Sequence, residues 1–492
     1  GNMSTELLIN VTPSESRVAL IENGVLQEIQ LERIGNLGIV GNIYLGKISR
    51  VLPGMQAAFV DIGLEKAAFL HASDIVNSAS IVEGVDDVPI KKVQDIRELV
   101  RQGQYIMVQV VKDPLGTKGA RLTTDITIPS RYLVFMPDAT HVGVSQRIET
   151  EEERSRLKKI VAEYGDENGS FIVRTAAEGA SEAELRHDAG FLRKLWEKIT
   201  ARRKKTSKAS ILHEDLTLAF RTLRDYVGED MERIRVDSKL THEELKLFTE
   251  EFVPQLSQVL EYYPGERPIF DLFDVENEIQ KALHRKVTLK SGGYIIIDQT
   301  EAMTTVDVNT GAFVGHRNLE ETIFNTNVEA TSAIARQLRL RNLGGIIIID
   351  FIDMVSEDHK RRVLHSLESA LAKDRTKTNI NGLSALGLVE MTRKRTRESL
   401  EHILCDVCPA CSGRGSQKTV ETVCYEILRE IVRVNRAYAA DKFMVYAAPA
   451  VSEALLNDEY HNLAELELFI GKQVNIQTES LYSQEQFDVV MM

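Results

Sequence analysis

The chain has 492 residues, 43% of them hydrophobic and 27% charged, a composition typical of a globular protein with several compact units. Its longest apolar run, residues 344–349, is too short to span a membrane, and no basic-then-apolar signal segment opens the chain. The net charge of −13 does not by itself suggest a polyanion-binding protein. All four cysteines follow residue 404, which argues against a secreted disulfide scaffold and predicts a reducing, cytoplasmic location.

The first predicted elements are two or three short strands within residues 5–33, where Asn23-Gly24 is a typical hairpin turn dipeptide. Residues 37–125 then combine short alternating strands with recurring glycines. This pattern predicts a small closed barrel of the OB type, which presents aromatic and basic side chains to single-stranded nucleic acid. Phe59 by itself fits the barrel core as well as a stacking surface. The candidate residues for this nucleic-acid binding are Phe59, Phe69, Lys112 and Lys118.

The next part of the chain is predicted to mix strands and helices. Apolar residues recur at helical spacing in 151–164 and 182–205, and residues 214–285 are mostly helical with one strand-like run at 231–236. Residues 286–400 then predict an α/β unit, and residues 419–492 a small domain with the order helix, strand, helix, strand. The predicted strands of the α/β unit are 293–298, 303–308, 345–350 and 386–391, and its helices are 320–341 and 357–373.

Two strands of the α/β unit end in acidic residues. Alternation along residues 304–309 places Asp307 and Asn309 on one face of a strand. Asp350 ends a continuous apolar strand of the kind buried in a parallel sheet, at the end where such sheets form ligand crevices. Either aspartate alone is also a common helix cap. Together with the amide they offer oxygen ligands that suit Mg²⁺ or Mn²⁺ and a substrate phosphate.

Basic residues form islands in this acidic chain. Arg336, Arg339 and Arg341 precede the strand that ends at Asp350, where we expect them to hold the nucleic-acid backbone that flanks the cleaved bond. A run of charges is more commonly only a solvated face.

The cysteine-rich segment predicts a zinc half-site. Cys408 and Cys411 are separated by two residues, as in a thiolate knuckle, whereas a closed structural zinc site needs four ligands. His402 and Cys405 complete the set locally in one solution, and in the other two chains each supply Cys408 and Cys411 to one shared Zn²⁺. Free thiols in a linker are the third alternative.

At these residues the sequence resembles the bacterial ribonuclease E/G family across essentially its whole length. The runs that carry the resemblance are 41–47, 57–63, 271–280, 301–309, 324–327, 336–341 and 349–354. They are long and specific, far beyond a chance match.

The resemblance implies a multidomain α/β (α+β) fold with six parts. These are a discontinuous RNase H-like segment (3–36 and 216–284), an inserted OB-type barrel (37–125), a 5′-sensor region (126–215), a DNase I-like catalytic domain (285–404), a zinc link (405–418) and a small α/β dimerisation domain (419–492).

The resemblance also implies an activity and its cofactors. The expected reaction is hydrolysis of single-stranded, AU-rich RNA with a preference for 5′-monophosphorylated ends, in maturation of the 5′ end of small-subunit (16S) ribosomal RNA and in mRNA decay. Asp307 and Asp350 would hold Mg²⁺, and Asn309 would assist at the phosphate. Cys408 and Cys411 would bind a structural Zn²⁺ shared by a homodimer, which could associate further. Neither a membrane nor a large scaffold assembly is expected.

In the sensor, Arg174 and Thr175 match the family's phosphate-binding pair, and Val134 matches its apolar wall. Ser130 stands where ribonuclease E has a glycine, and Lys377 stands in place of its arginine. Lysine pairs a phosphate as a point charge without the bidentate fork, so the preference for a terminal phosphate would be tuned differently. Cys405 has no counterpart in ribonuclease E, which leaves the local zinc site open. A non-catalytic RNA-binding protein and a DNA-directed phosphodiesterase are the rival functions.

Overall fold

The computed structural model describes residues 4–75, 79–83, 89–226, 230–311 and 319–492. Residue 3, where the first predicted segment begins, lies outside these ranges. The chain divides into two compact units, residues 1–400 and residues 401–492.

An antiparallel meander of three strands opens the chain: β1 (Thr5–Val11), β2 (Glu15–Glu22) and β3 (Val25–Arg33). Asn23 and Gly24 join β2 to β3 with φ angles of 51° and 77°. Two left-handed residues are what a two-residue hairpin turn of type I′ requires, so the predicted turn is confirmed.

The second segment forms a closed barrel. Its elements are β4 (Ile43–Leu52), β5 (Ala57–Asp61), β6 (Ala68–His71), β7 (Ala79–Glu83), β8 (Pro89–Val93), α1 (Ile96–Leu99), β9 (Tyr105–Lys112) and β10 (Arg121–Thr123). Strands β4, β5, β6, β10 and β9 are hydrogen-bonded in that order, and β9 pairs again with β4, which closes the barrel around its own apolar core. The predicted OB-type barrel is therefore confirmed.

A four-stranded sheet with two helices follows the barrel. Its elements are β11 (Ile128–Pro129), β12 (Leu133–Met136), β13 (Gly143–Val144), α2 (Glu151–Ala162), β14 (Ser170–Val173) and α3 (Glu182–Lys205). Ser181 and Glu184 form a capping box at the start of α3, which fixes where that helix begins. The next strand, β15 (Ser210–His213), pairs with β4 of the barrel.

The chain then returns to its first sheet. The elements of this stretch are α4 (Leu218–Asp225), β16 (Met231–Val236), α5 (Lys239–Phe252), β17 (Leu260–Tyr262) and α6 (Val275–Lys281). Strand β16 pairs in parallel with β1, which gives the strand order β17-β16-β1-β2-β3. The first three strands and the later strands β16 and β17 thus share one sheet, although they are far apart in sequence. The sequence pattern did not predict β17. The name RNase H-like stays a prediction for this sheet.

A second large sheet carries the acidic strands. Its elements are β18 (Lys286–Thr288), β19 (Tyr294–Gln299), β20 (Thr304–Asn309), α7 (Leu319–Leu340), β21 (Gly345–Asp350), α8 (Glu357–Leu371), β22 (Thr378–Leu383) and β23 (Val389–Arg393), followed by α9 (Leu400–Leu404). The strand order is β18-β19-β20-β21-β23-β22, in which β20 and β21 are the parallel pair. The sheet is therefore mixed, and the sequence pattern missed β18 and β22.

Helices α7 and α8 pack on one face of this sheet. Val306, Val308, Ile347 and Ile349 point into that core, whereas Ile346 is 48% exposed on the other face. The prediction that β21 is buried on both faces is wrong, because no layer of the described part of unit 1 covers Ile346.

The second unit is a small α/β domain. Its elements are α10 (Val420–Ala437), β24 (Lys442–Ala447), α11 (Pro449–Leu456), α12 (Tyr460–Ile470), β25 (Gln473–Thr478) and β26 (Phe487–Met491), with β24 between β25 and β26. This is one helix and one strand more than the sequence pattern predicted. Within the described ranges of the whole chain, no helix combines the length and the apolar character that crossing a membrane requires.

Candidate active site and RNA-binding surfaces

Asp307 and Asp350 lie side by side in the sheet. They are partners in the parallel register of β20 and β21, and both are exposed. The predicted alternation is confirmed, because Val306 and Val308 are buried against α7 while Asp307 and Asn309 lie on the opposite face. The Asn309 amide nitrogen donates a long hydrogen bond of 3.4 Å to the Asp307 carbonyl oxygen, which keeps the amide beside the carboxylates.

The electrostatics of this carboxylate pair favour a cation. Partial burial raises the pKa of Asp350, and the negative charges of Asp307 and Asp353 raise it further. Across the described ranges, no three His, Cys, Asp or Glu side chains come together as a metal-binding group. The donor set is thus two neighbouring carboxylates and an amide, which fits Mg²⁺ because that ion binds one or two carboxylates and takes its other ligands from water and substrate phosphate.

A buried side chain of α7 and a close glycine contact position the chain just beyond β21 and β20. Asn327 of α7 is completely buried; its side-chain amide donates to Ile352 O at 2.9 Å, and its side-chain oxygen accepts from Ile352 N at 3.1 Å. The segment between Asp350 and Asp353 is therefore held to the helix. Beyond β20, Gly311 lies so close to Gly292 that a Cβ atom would be 1.9 Å from the Gly292 carbonyl oxygen, so only glycine fits.

The three arginines before β21 do not reach this face. Arg336 donates to Leu26 O and pairs with Glu278, both at 3.0 Å. Arg339, 6% exposed, pairs with Glu22 at 3.1 Å. The prediction that they hold the nucleic-acid backbone is wrong, because Arg336 and Arg339 bind the N-terminal sheet instead. Arg341 is buried and donates to Gln337.

The barrel carries a row of aromatic and basic side chains. Phe59 and Phe69 are cross-strand neighbours with ring centroids 6.4 Å apart, and both are half-buried. Phe59 is also opposite Arg50 of β4. On the other side, Phe69 is opposite Arg121 of β10, which is in turn opposite Lys112 of β9. The structure thus joins three of the predicted residues in one row. Arg50 and Arg121 were missed, because only the strand register places them beside the rings.

The fourth predicted residue of the barrel, Lys118, is exposed in the loop before β10, outside that row. Its backbone pairs with Leu115 through two hydrogen bonds of 3.1 and 3.0 Å.

The predicted sensor residues come from two parts of unit 1. Arg174 and Thr175 directly follow β14, while Lys377 precedes β22 of the acidic sheet. Arg174 Nη1 donates to Ser130 O at 2.6 Å, and the Thr175 hydroxyl bonds the Ser145 hydroxyl at 2.9 Å.

Further charged residues join Arg174 and Lys377. Lys377 Nζ pairs with Glu178 Oε2 at 2.6 Å, and the charges of Arg174, Arg147 and Lys377 all act on Lys394. We refer to Arg147, Arg174, Glu178, Lys377 and Lys394 as the sensor cluster. The sequence pattern missed Arg147, Glu178 and Lys394.

The other two predicted sensor positions lie in the sheet of the sensor region. Val134 is half-buried on β12, opposite Ile172. Ser130 is buried and donates to Asp188 Oδ1 at 2.5 Å, and Asp188 also accepts from the backbone N–H groups of Tyr132 and Leu133. Ser130, which stands where ribonuclease E was expected to have a glycine, thus has a structural partner.

The cysteine segment in unit 2 has the geometry of a knuckle. Gly415 N–H donates to Cys411 Sγ at 3.4 Å. Hydrogen bonds from the backbone of Gly415, Gly413 and Arg414 and from Cys408 lower the pKa of the Cys411 thiol. Such thiolate stabilisation suits a metal ligand. Cys405 and Cys408 are exposed.

Comparison with known proteins gives concordant results. The model of the ribonuclease E/G family matches residues 127–396, the S1 RNA binding domain matches 39–124, and the thioredoxin-like domain of RNase E/G matches 407–492. The chain is 70% identical over 490 residues to ribonuclease G of Escherichia coli (strain K12), with 100% of each chain covered. It is 64% identical to ribonuclease G of Haemophilus influenzae, covering 99% of this chain and 100% of that protein. Ribonuclease E of E. coli (strain K12) is 38% identical over 86% of this chain and 40% of its own length. The chain therefore belongs to the ribonuclease E/G family.

Proposed function

We propose that this endoribonuclease is Mg²⁺-dependent and hydrolyses single-stranded, AU-rich RNA with a preference for 5′-monophosphorylated ends. Its proposed roles are 5′-end maturation of 16S ribosomal RNA and mRNA decay in the cytoplasm. The observation that carries the proposal is the register pairing of Asp307 with Asp350 on an exposed sheet face, in a chain of this family.

Asp307 and Asp350 would hold Mg²⁺, with Mn²⁺ able to substitute. When bound, the ion would supply an activated water and neutralise charge on the phosphoryl oxygens. The Asp307 and Asp350 carboxylates would hold the cation, and the Asn309 amide would orient the scissile phosphate or the attacking water. The raised pKa of Asp350 supports this assignment, because a bound cation would offset the repulsion between the carboxylates.

The RNA strand would be held at two further places. Phe59 and Phe69 offer faces for base stacking, with Arg50, Arg121 and Lys112 in the same row for the phosphates. Lys118 contributes a further positive charge at the barrel. At the sensor, Arg174, Thr175 and Lys377 would bind the terminal 5′-phosphate against Val134.

Zinc is proposed to link two chains through Cys408 and Cys411. The knuckle hydrogen bonds to Cys411 support a metal site. The shared arrangement is favoured over the local one because, in the described ranges, neither Cys405 nor His402 forms a three-ligand group with this pair. We propose a homodimer that can associate further, without a large scaffold assembly or a membrane partner.

The test is to replace Asp307 or Asp350 with Asn. Each change should lower Mg²⁺-dependent cleavage of a single-stranded RNA by roughly a thousandfold, the several kcal/mol that a metal contributes to such a reaction. RNA binding in EDTA should remain, since the barrel is untouched. Asp298→Asn is the matched control, because Asp298 lies on the same sheet and is paired with Arg285 at 2.6 Å.

Unchanged cleavage in both variants would mean that the site is elsewhere. A wild-type protein that binds RNA but never cleaves it would indicate a non-catalytic binding protein. Equal cleavage of a DNA strand of the same sequence would remove the claim for RNA.

A further inference from the structure

The charges of the sensor cluster do not cancel. Lys394 follows β23 and is half-buried, and its N–H donates to Lys377 O at 3.0 Å. Burial lowers the pKa of Lys394, the positive charges of Arg174, Arg147 and Lys377 lower it further, and the charge of Glu178 opposes them. Positive groups held together in this way repel one another, so the arrangement points to an anionic ligand.

The cluster is open to such a ligand. Arg174 and Arg147 are exposed, and the Lys377 side chain is 46% exposed. Lys377 precedes β22 and Lys394 follows β23 of the acidic sheet, whereas Arg147 and Arg174 belong to the sensor region, so charges from two parts of unit 1 act at this place.

Glu178 already forms an ion pair with one of these positive side chains, Lys377. Its Oε2 atom lies 2.6 Å from Lys377 Nζ, at the distance a phosphate oxygen would take. The position of Glu178 is set locally, since its N–H donates to Thr175 O at 3.1 Å. A carboxylate in this place lowers the net positive charge and competes for Lys377.

We propose that Lys394 contacts the 5′-terminal phosphate of RNA together with Lys377, and that Glu178 competes with this phosphate for Lys377. The inference rests on the proposed preference for 5′-monophosphorylated RNA and assigns two residues to it. Lys394 adds a positive charge to a site where Lys377 stands in place of ribonuclease E's arginine. Glu178 weakens the site, so that only a group with the charge of a phosphate displaces it.

Binding of one short RNA oligonucleotide in two forms, 5′-monophosphate and 5′-hydroxyl, tests this by fluorescence anisotropy in EDTA. Lys394→Gln should weaken binding of the phosphorylated form about tenfold, the effect of one charge-assisted hydrogen bond. Glu178→Gln should strengthen it by about threefold, since the competitor is gone. Both variants should bind the hydroxyl form like the wild-type protein. Lys205→Gln, at the exposed end of α3, is the control and should change neither affinity.

Different results would overturn the proposed 5′-phosphate preference and the roles of Lys394 and Glu178. A wild-type protein that binds both oligonucleotides equally overturns the proposed 5′-phosphate preference and this inference with it. A wild-type protein that discriminates, with Lys394→Gln and Glu178→Gln both behaving like Lys205→Gln, overturns this inference alone. Tighter binding by Glu178→Gln is also a result that misfolding would not produce.

Discussion

Asp350 ends β21 beside Asp307 of β20, and the charge of Asp353 also acts on it. Burial and the charges of Asp307 and Asp353 raise its pKa, so this position is electrostatically costly without a cation. Two arginines differ from Asp350, because each is buried and paired with a side chain of opposite charge. Arg393 is fully buried and pairs with Asp374 at 2.8 Å, and Arg339 is buried against Glu22. Charge alone thus does not identify a functional residue, and burial and partners decide between structural and binding roles.

His213 makes stability depend on pH. Burial and the positive charges of Arg202 and Lys198 lower its pKa to about 4, below the value of about 6.5 in an unfolded chain. The unfolded state therefore binds more protons between these values. The stability gained by keeping His213 neutral is complete above about pH 6.5 and is lost as the pH falls towards about 4.

We expect the free energy of unfolding to fall by about 2 kcal/mol more in the wild-type protein than in His213→Gln between pH 7 and pH 5. Urea denaturation at both pH values measures the difference. His141→Gln, which removes an exposed histidine, should follow the wild-type curve. The same pH dependence in His213→Gln and wild type would contradict the assignment.

Helix α7 connects three parts of unit 1. Its arginines pair with the N-terminal sheet, its apolar face covers the acidic sheet, and Asn327 holds the segment that follows Asp350. The helix therefore supports the segment beside the candidate active site, and we expect substitutions in it to separate an effect on cleavage from an effect on stability.

Asn327→Ala should lower cleavage by about tenfold or more. The Ile352 backbone would lose both of its hydrogen bonds to the Asn327 side chain, and the Asp350–Asp353 segment would shift. The free energy of unfolding should fall by about 1–3 kcal/mol, the effect of unsatisfied buried polar groups. Cleavage kinetics well below the unfolding temperature and thermal melts measure the two effects.

Thr331→Ala is the matched control for Asn327→Ala. Thr331 lies one turn further along α7, is completely buried and bonds Ser366 of α8 at 2.8 Å. It should destabilise the fold similarly while leaving cleavage nearly unchanged. Equal losses of activity in both variants would show that Asn327 acts through stability alone.

At the scale of the whole molecule, the chain separates its tasks between two compact units. Unit 1 contains the acidic sheet, the barrel and the sensor cluster, and unit 2 begins near the cysteines and forms a small α/β domain. Cys408 and Cys411 provide two thiolates while zinc takes four ligands, so the proposed shared site draws its other pair from a second chain.

Replacing Cys408 and Cys411 with Ser should therefore convert the proposed dimer to monomer, as measured by light scattering coupled to size-exclusion chromatography. Removal of zinc by a chelator should act in the same way. Cys405→Ser is the control and should remain dimeric, with one zinc ion for two chains. A stable wild-type dimer with one zinc ion in each chain would support the local site instead.

The sequence by itself determined the features that depend on local periodicity. Alternation placed Asp307 and Asn309 on one face, Asn23-Gly24 predicted a tight hairpin, and helical spacing located α2 and α3. These signals are local because strand and helix geometry repeat within a few residues.

Only the tertiary structure decided which distant segments meet. It paired β1 with β16, left one face of β21 open, and bound Arg336 and Arg339 to the N-terminal sheet. It also brought Lys394 and Glu178 to the sensor cluster. A side chain's partner across hundreds of residues depends on strand order and helix packing, which no local pattern encodes. Pairing Asp307 with Asp350 as one candidate site needed the sequence and the tertiary structure together. Alternation predicted the face on which Asp307 lies, and the parallel register of β20 and β21 made the two aspartates neighbours.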